Sequence, residues 1–170
     1  VGWGGLQRAF ETIHDDWKRE YAELKELLTA EEYTEARASV INAHYTSAPV
    51  IKGMWDGVAA LGFKHGTVLE PAVGVGHFLG LMPAGVGARS QLVAVEMDGL
   101  SARITRQLYQ RAAVLHSPFQ DTGMGDGSVD LVITNVPFAN VRVTDPHDRE
   151  LTGLNQSLHD YFISKSIKLA

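Results

Sequence analysis

Two glycines follow one apolar segment of the sequence, and an acidic residue ends the next one. Gly74 and Gly76 come after the segment Thr67–Glu70, and glycines there would let the backbone turn tightly and approach a ligand without a Cβ in the way. Glu96 lies about twenty residues beyond Gly76, where a carboxylate can accept hydrogen bonds from both hydroxyls of a ribose. A plain strand-to-helix turn is the alternative, but the glycines and Glu96 together favour a nucleoside-containing cofactor.

The details of this turn favour S-adenosylmethionine over a nicotinamide dinucleotide. The third glycine, Gly80, is one residue late for the dinucleotide-binding pattern. Glu70 would repel a pyrophosphate, whereas it can face the positively charged sulfonium and amino groups of S-adenosylmethionine. We therefore expect S-adenosylmethionine as the cofactor.

A second group of residues combines two hydrogen-bond acceptors with an aromatic ring. The side-chain carbonyl of Asn135 and the backbone carbonyl of Val136 could accept both N–H groups of a planar amine and bias its nitrogen toward a nucleophilic geometry. Pro137 fixes its own φ and restricts Val136, so that both acceptors point to one place. Phe138 could stack on the ring that carries the amine, worth ~1–3 kcal/mol per base. The alternative is a strand ended by proline, with Phe138 in the core.

Short apolar segments and helical patterns alternate after residue 62 and predict an α/β fold. Strands that are apolar throughout and separated by helices indicate a parallel sheet covered on both faces. We expect four strands, at residues 67–70, 91–96, 112–115 and 130–134. Helices are expected at residues 101–110, with Ile104 and Leu108 on one face, and at residues 157–169. The apolar residues of that last helix at helical spacing are Leu158, Phe162, Ile163 and Ile167.

The sequence predicts a helical N-terminal segment over residues 1–62 and the α/β core over residues 63–170. Apolar residues at three- and four-residue steps predict helix across residues 6–28. Thr29 and Glu32 fit a capping box, with a helix from there to about Ala43. A further helix should begin at Ser47, with Pro49 in its first turn, and stop at Gly62.

The composition limits the kinds of partner this chain can bind alone. The formal net charge is -5, so other parts of a longer protein should supply most of any affinity for nucleic acid. There is no cysteine, and the seven histidines show no pair at zinc-ligand spacing, so we expect no metal site. We expect neither a membrane span nor a signal peptide, and a cytoplasmic location. The missing initiator Met and an end inside a helical pattern indicate an excerpt of a longer protein.

These motifs resemble those of the N6-adenine DNA methyltransferases with gamma-type motif order. Residues 135–138, Asn-Val-Pro-Phe, match their Asn-Pro-Pro-Tyr/Phe motif with Val136 in place of the first proline, and residues 69–78 match their cofactor loop. Residues 44–49 resemble the family segment that lines the methionine end of the cofactor. The stretch from residue 2 to residue 162 is similar to the methylase region of large phage and mobile-element proteins, in which a helicase-like region often follows.

The resemblance implies a Rossmann-like class I S-adenosylmethionine-dependent methyltransferase core with a partial sheet, its C-terminal part missing. It implies methyl transfer to the N6 of an adenine flipped out of double-stranded DNA, in a restriction-modification setting, with helicase-like and target-recognition regions of the same longer chain as partners. The implied catalytic residues are Asn135, Val136, Pro137 and Phe138. The implied cofactor-binding residues are Tyr45, Thr46, Glu70, Ala72, Gly74, Gly76, Glu96, Met97 and Phe119.

One departure from the family pattern concerns the adenine of the cofactor. The family has Asp-Phe after the third strand, where the acid holds the adenine amino group, but this chain has Pro118 before Phe119. Phe119 could still stack on the adenine, and Asp121 is the candidate substitute for the acid.

Two other functions stay open on the sequence alone. Protein-glutamine methyltransferases use a similar motif on a planar amide, which presents the same N–H donors. A non-catalytic cofactor-binding module of a larger protein is the third interpretation, because a fold does not guarantee an activity. We expect the isolated piece to be inactive without the rest of a longer protein.

Overall fold

The structure is a computed structural model and describes residues 5–40, 45–139 and 141–170, without the side chain of Ser39. Its N-terminal part contains two short 3-10 helices, Gln7–Phe10 and Asp15–Trp17, followed by α1, Lys18–Leu27. The helix expected across residues 6–28 is therefore confirmed only in α1, and the part before Lys18 is wrong.

The capping box is confirmed at the start of α2, Ala30–Ser39. The Thr29 hydroxyl accepts a hydrogen bond from the Glu32 N–H at 3.2 Å, and the Thr29 N–H donates to the Glu32 carboxylate at 3.0 Å. This helix ends at Ser39, and its expected continuation toward Ala43 lies partly outside the described residues. A small apolar cluster joins α2 to the preceding segments, with Phe10 and Tyr33 among its buried residues.

The helix expected after Ser47 is confirmed as α3, Ala48–Ala60, with a proline in its first turn. Gly62 follows it with a φ of 94°, the left-handed conformation that commonly ends a helix. Ile51 and Trp55 are buried on its inner face, and the Trp55 indole donates to the carbonyl of Phe78 at 3.1 Å.

All four expected strands are present and form one parallel sheet. They are β1, Thr67–Glu70; β2, Gln91–Glu96; β3, Ala112–His116; and β4, Leu131–Val132. Their order is β3-β2-β1-β4, and each neighbouring pair is parallel. The fourth strand is shorter than residues 130–134, and in the described part of the chain it is an edge of the sheet.

The helices between and after the strands cover both faces of the sheet. They are α4, His77–Gly80; α5, Ala84–Gly87; α6, Gly99–Leu108; α7, Arg149–Gly153; and α8, Leu158–Leu169, with a 3-10 helix at Phe119–Asp121. On one face, α3 packs against Val68, and α6 packs against Ala94 through Ala102. On the other face, Leu69 and Val95 pack against α8.

The expected inner faces of two helices need correction. In α6, Leu108 is exposed and Ile104 only half-buried, whereas Ser101, Ala102 and Thr105 are buried. In α8, Phe162 is buried as expected, but Ile163 and Ile167 are exposed, and the buried residues include Tyr161, Lys165 and Leu169. Thr105 and Lys165 lie inside because each hydrogen-bonds to a partner that is distant in the sequence. No helix in the described ranges combines the length and the apolar character needed to cross a membrane.

Candidate functional site

The candidate site lies where the strand order reverses. β1 has β2 on one side and β4 on the other, so their carboxyl ends meet at one edge of the sheet. Ligands of open parallel sheets bind in the crevice at such a position. The segments after these three strands carry Gly74 and Gly76, Met97, and Asn135 to Phe138, respectively. The topology therefore brings the two predicted motifs to the same edge.

Glu96 connects the glycine turn to the segment after β2. One carboxylate oxygen accepts from the Gly74 N–H at 2.7 Å, and the other accepts from the Asp98 N–H at 2.8 Å. Burial raises the pKa of Glu96, and the N–H donors oppose that rise. Because each carboxylate oxygen has more than one acceptor position, Glu96 can hold the turn and still accept from ligand hydroxyls.

The glycine turn needs both of its glycines, for different reasons. Gly74 has a φ of 54°, and Gly76, which caps α4, has a φ of 84°. A Cβ on Gly76 would overlap the ring of Tyr109. A Cβ on Gly74 would meet only the Tyr45 ring, at 3.6 Å. The carbonyl of Gly74 also accepts from the Thr105 hydroxyl at 2.7 Å, which fixes the turn to α6.

Glu70 at the end of β1 is a buried acid with an unused oxygen. Its side chain is 2% exposed, and Oε2 has no hydrogen-bond partner among the described residues. Burial raises the pKa of Glu70 well above its usual value, and the nearby charge of Glu96 raises it further. The neighbouring carboxyl groups of Glu70 and Glu96 favour a positively charged ligand, because a cation would stabilise both in their ionised form. The sulfonium and ammonium groups of S-adenosylmethionine fit this donor set.

The segment after the N-terminal helices reaches the turn through Tyr45. The Tyr45 ring lies 4.9 Å from the ring of His77, centroid to centroid, and beside Gly74. Burial raises the pKa of Tyr45 to about 12, with smaller contributions from the charges of Glu96 and Asp98. Thr46 is half-buried next to it. His44, at the start of the segment resembling the family, lies outside the described residues.

The other residues expected to bind the cofactor are not all open to a ligand. Met97 is 65% exposed next to Glu96, and Ala72 is half-buried after β1. Phe119, in contrast, is 2% exposed and packs against Tyr161 and Phe162 of α8. In this conformation α8 covers the Phe119 ring, and its stacking on a cofactor adenine stays a prediction that requires the ring to be uncovered.

The residues of the second motif follow β4 at the same edge. The N–H of Ile133 donates to the carbonyl of Leu69 at 3.1 Å, so the chain after β4 stays aligned with β1. Asn135 is exposed, and Val136 and Pro137 are half-buried. Phe138 is 63% exposed, so the alternative of a core phenylalanine is wrong.

A buried ion pair that the sequence did not reveal holds the chain after this motif. Lys165 of α8 donates to Asp145 at 3.0 Å and to the carbonyl of Phe119 at 2.9 Å. The Tyr161 hydroxyl also donates to Asp145, at 2.6 Å. Burial opposes ionisation of Asp145, but the hydrogen bonds from Tyr161 and Lys165 and from the backbone outweigh it and lower its pKa. The segment after the motif is thus fixed to α8 and to the end of β3.

Comparisons with known proteins agree with this architecture. A modification subunit described as belonging to a type I restriction enzyme from Vibrio vulnificus YJ016 has a TM-score of 0.60 and 18% identity, over 90% of this chain and 34% of that chain. A protein described as a class I S-adenosylmethionine-dependent methyltransferase from Listeria monocytogenes has a TM-score of 0.53 and 17% identity, over 96% of this chain and 59% of that chain.

In sequence, 100 residues are 32% identical to the Defense against restriction protein B of Escherichia phage P1. The match spans 58% of this chain but only 4% of the phage protein. No family model matches the chain. The parallel sheet, its helices and these structural neighbours together show that the chain has the Rossmann-like fold of the class I S-adenosylmethionine-dependent methyltransferases.

Proposed function

We propose that this chain is the S-adenosylmethionine-binding and catalytic part of a methyltransferase that modifies the N6 of adenine in DNA. One observation carries the proposal: Asn135 and the exposed ring of Phe138 follow β4 at the sheet edge where β1 ends in the buried Glu70, whose Oε2 has no hydrogen-bond partner among the described residues. This arrangement offers acceptors and a stacking surface for a planar amine beside a site suited to a cationic cofactor.

The cofactor would be held mainly by residues around the glycine turn. Glu70 would face its positive charge, and Glu96 would accept from its ribose hydroxyls. Its other proposed contacts are Tyr45, Thr46, Ala72, Gly74, Gly76 and Met97. S-adenosylmethionine supplies an electrophilic methyl group when it is bound.

The residues after β4 would position and polarise the target nitrogen. The Asn135 side-chain oxygen and the Val136 carbonyl would accept the two N–H groups of the amine, and Pro137 would restrict the backbone that presents them. Phe138 would stack on the target ring. Positioning and stabilisation of the charge that develops on the nitrogen would supply most of the rate acceleration.

The choice of DNA rests on the motif resemblance and on the restriction-related proteins that the chain is similar to. An adenine N6 in a duplex is out of reach, so the base would be flipped into the crevice. Since the net charge of the chain is -5, target-recognition and helicase-like regions of a longer protein would provide most of the DNA affinity. The cytoplasm, where bacterial and phage DNA is accessible, is the proposed compartment.

Protein glutamine is the second candidate substrate, and the negative charge of the chain favours it. A glutamine amide presents the same planar pair of N–H donors to Asn135 and Val136. A non-catalytic cofactor-binding module is the third candidate, favoured by the buried ring of Phe119 and by the proline at position 118.

Methyl transfer from S-adenosylmethionine carrying a radiolabelled methyl group separates these candidates. Unmethylated duplex DNA and a glutamine-containing peptide are offered in parallel to the chain, alone and within a longer protein. We expect label in N6-methyladenine, reduced about 100-fold or more by Asn135→Ala. Gln107→Ala, a change of an exposed amide on α6, is the matched control and should leave the rate unchanged. Full turnover in Asn135→Ala contradicts the proposed catalytic residues, and label in peptide alone contradicts the DNA substrate.

A further inference from the structure

His159 contacts the exposed aromatic residue of the proposed substrate site. The centroids of the Phe138 and His159 rings are 5.7 Å apart, and their planes are inclined by 30°. Aromatic rings whose centroids lie within about 4.5–7 Å attract each other in such non-sandwich arrangements. Phe138 is 63% exposed, and the His159 side chain is 39% exposed, so the pair lies at the surface and not in the core.

The fold fixes His159 more firmly than Phe138. His159 is in the first turn of α8. The buried Lys165–Asp145 ion pair fixes this helix to the segment that follows residues 135–138. An antiparallel bridge between Arg142 and Ser157 brings the start of this helix back toward the motif. The Arg142 guanidinium also donates to the carbonyl of Asn155 at 2.6 Å.

Phe138 lies in an irregular segment between β4 and α7, with most of its ring exposed. An exposed ring on an irregular segment would otherwise sample several rotamers. With one side of the ring against His159, the remaining open surface is free to contact a planar ligand. Fixing the ring in advance lowers the entropic cost of stacking a ligand on it.

We propose that His159 is a positioning residue that holds the Phe138 ring as a stacking surface for a nitrogen-containing planar group, a nucleobase in the first instance. This inference rests on the proposed function, because it concerns the substrate side of the same site. His159 acts through Phe138 and takes no part in the transfer itself. Its effect therefore falls on substrate affinity and leaves cofactor affinity unchanged.

The first experiment measures kinetics for His159→Ala and His159→Phe in the methyl-transfer assay. We expect His159→Ala to raise KM for DNA about fivefold to tenfold, a part of the usual stacking contribution, with the affinity for S-adenosylmethionine unchanged. His159→Phe keeps a ring in place and should restore KM to within about twofold. Ile163→Ala, one turn further along α8 and exposed, is the matched control and should match the original chain.

The second experiment reads stacking without any reaction. Binding of a fluorescently labelled single-stranded oligodeoxyadenylate is measured by anisotropy for the longer protein, in its original form and as Phe138→Ala, His159→Ala and His159→Phe, because the other regions should supply most of the affinity for nucleic acid. Weakening by both Phe138→Ala and His159→Ala, larger for Phe138→Ala, with recovery in His159→Phe, supports the inference whatever the reaction is.

Three results overturn the inference: no binding of the oligomer by the original longer protein, weakening by Phe138→Ala alone, or equal weakening by His159→Ala and His159→Phe. Calorimetry with S-adenosylmethionine keeps the two proposals distinguishable. If the original chain does not bind S-adenosylmethionine, the proposed function is contradicted. If it binds the cofactor and His159→Ala leaves substrate affinity unchanged, only the role of His159 is contradicted.

Discussion

The carboxylate of Glu96 accepts a hydrogen bond from the backbone N–H of Gly74 at 2.7 Å. The acid that ends β2 therefore holds the turn that follows β1, and the two halves of the proposed cofactor site form one hydrogen-bonded unit. Sequence spacing alone treats Glu96 as a ligand for ribose hydroxyls. The structure adds that it also shapes the turn, so its removal should affect both binding and stability.

We expect Glu96→Ala to weaken S-adenosylmethionine binding about tenfold or more, because hydrogen bonds to charged groups are each worth about 1.5–3 kcal/mol. The N–H groups of Gly74 and Asp98 also lose their acceptor, so the free energy of unfolding should fall by about 1–3 kcal/mol. Calorimetry and urea denaturation measure the two effects. Glu26→Ala, at an exposed position of α1, is the control. An affinity within twofold of the original would remove Glu96 from the cofactor site.

The raised pKa of Glu70 makes stability fall as the pH rises. Between the usual carboxyl pKa of 4.5 and the higher folded-state pKa, the folded chain keeps a proton that the unfolded chain has lost. Stability therefore decreases through this window, by at most about 1.4 kcal/mol per pH unit for one group. The glutamine side chain in Glu70→Gln cannot ionise. This variant should therefore have a higher free energy of unfolding than the original chain at pH 8, and a similar one at pH 4.

Urea denaturation at several pH values measures this dependence. Addition of S-adenosylmethionine should stabilise the original chain more at pH 8 than at pH 5, because its positive charge favours the ionised Glu70 carboxyl. The same addition should stabilise Glu70→Gln much less. Parallel pH profiles for both chains would show that Glu70 titrates normally and is not the acid that faces the cofactor.

The strands and the glycine turn could be predicted because their signals are local. Local backbone conformation is predicted directly by the continuous apolar runs next to Gly74 and Gly76 and by the Thr29–Glu32 capping box. The prediction of helix before Lys18 failed because three- and four-residue spacing also fits short 3-10 turns, whose side chains pack in a local cluster.

The inner face of α8 could not be predicted because tertiary contacts set it. Ile163 and Ile167 have the apolar character of core residues, yet Lys165 is the buried one. Its partner Asp145 lies 20 residues earlier in the chain, too far for any periodic pattern to show. The burial of Phe119 beneath α8 could not be predicted for the same reason, since the sequence gives no sign that Tyr161 and Phe162 pack against its ring.

The two glycines of the turn should respond differently to alanine. Both lie at positive φ, which costs a residue with a side chain roughly 1–2 kcal/mol. In Gly74→Ala the new Cβ has room, but in Gly76→Ala it would overlap the Tyr109 ring. We expect Gly76→Ala to lower the free energy of unfolding by about 1–3 kcal/mol more than Gly74→Ala.

Urea denaturation of the two variants checks this difference, and a third variant tests its cause. Tyr109→Ala removes the obstructing ring. In that background, Gly76→Ala should lower the free energy of unfolding by no more than Gly74→Ala does in the original chain. Equal losses for the two single glycine variants would mean that the Tyr109 ring moves away without cost.

The buried pair of Asp145 and Lys165 should be strongly coupled in stability. Removing one member leaves the other as an uncompensated buried charge, so we expect Asp145→Asn and Lys165→Met each to lower the free energy of unfolding by about 3–5 kcal/mol. The double variant should lose much less than the sum, because it leaves no buried charge. Lys168→Met, a change on the same helix at a more exposed ion pair, is the control and should have a much smaller effect.

The pH dependence of the same variants separates the charge from the packing. The pKa of Asp145 is lowered in the folded chain, so its contribution is present above the unfolded-state pKa of about 3.8 and is lost as the pH falls through the folded-state value. Denaturation curves of the original chain should therefore lose stability below pH 4, and those of Asp145→Asn should lose less. Additive losses in the double variant, with unchanged acid sensitivity in Asp145→Asn, would contradict a role for the ion pair. Packing around Phe119 and Tyr161 would then hold the chain after the proposed catalytic motif by itself.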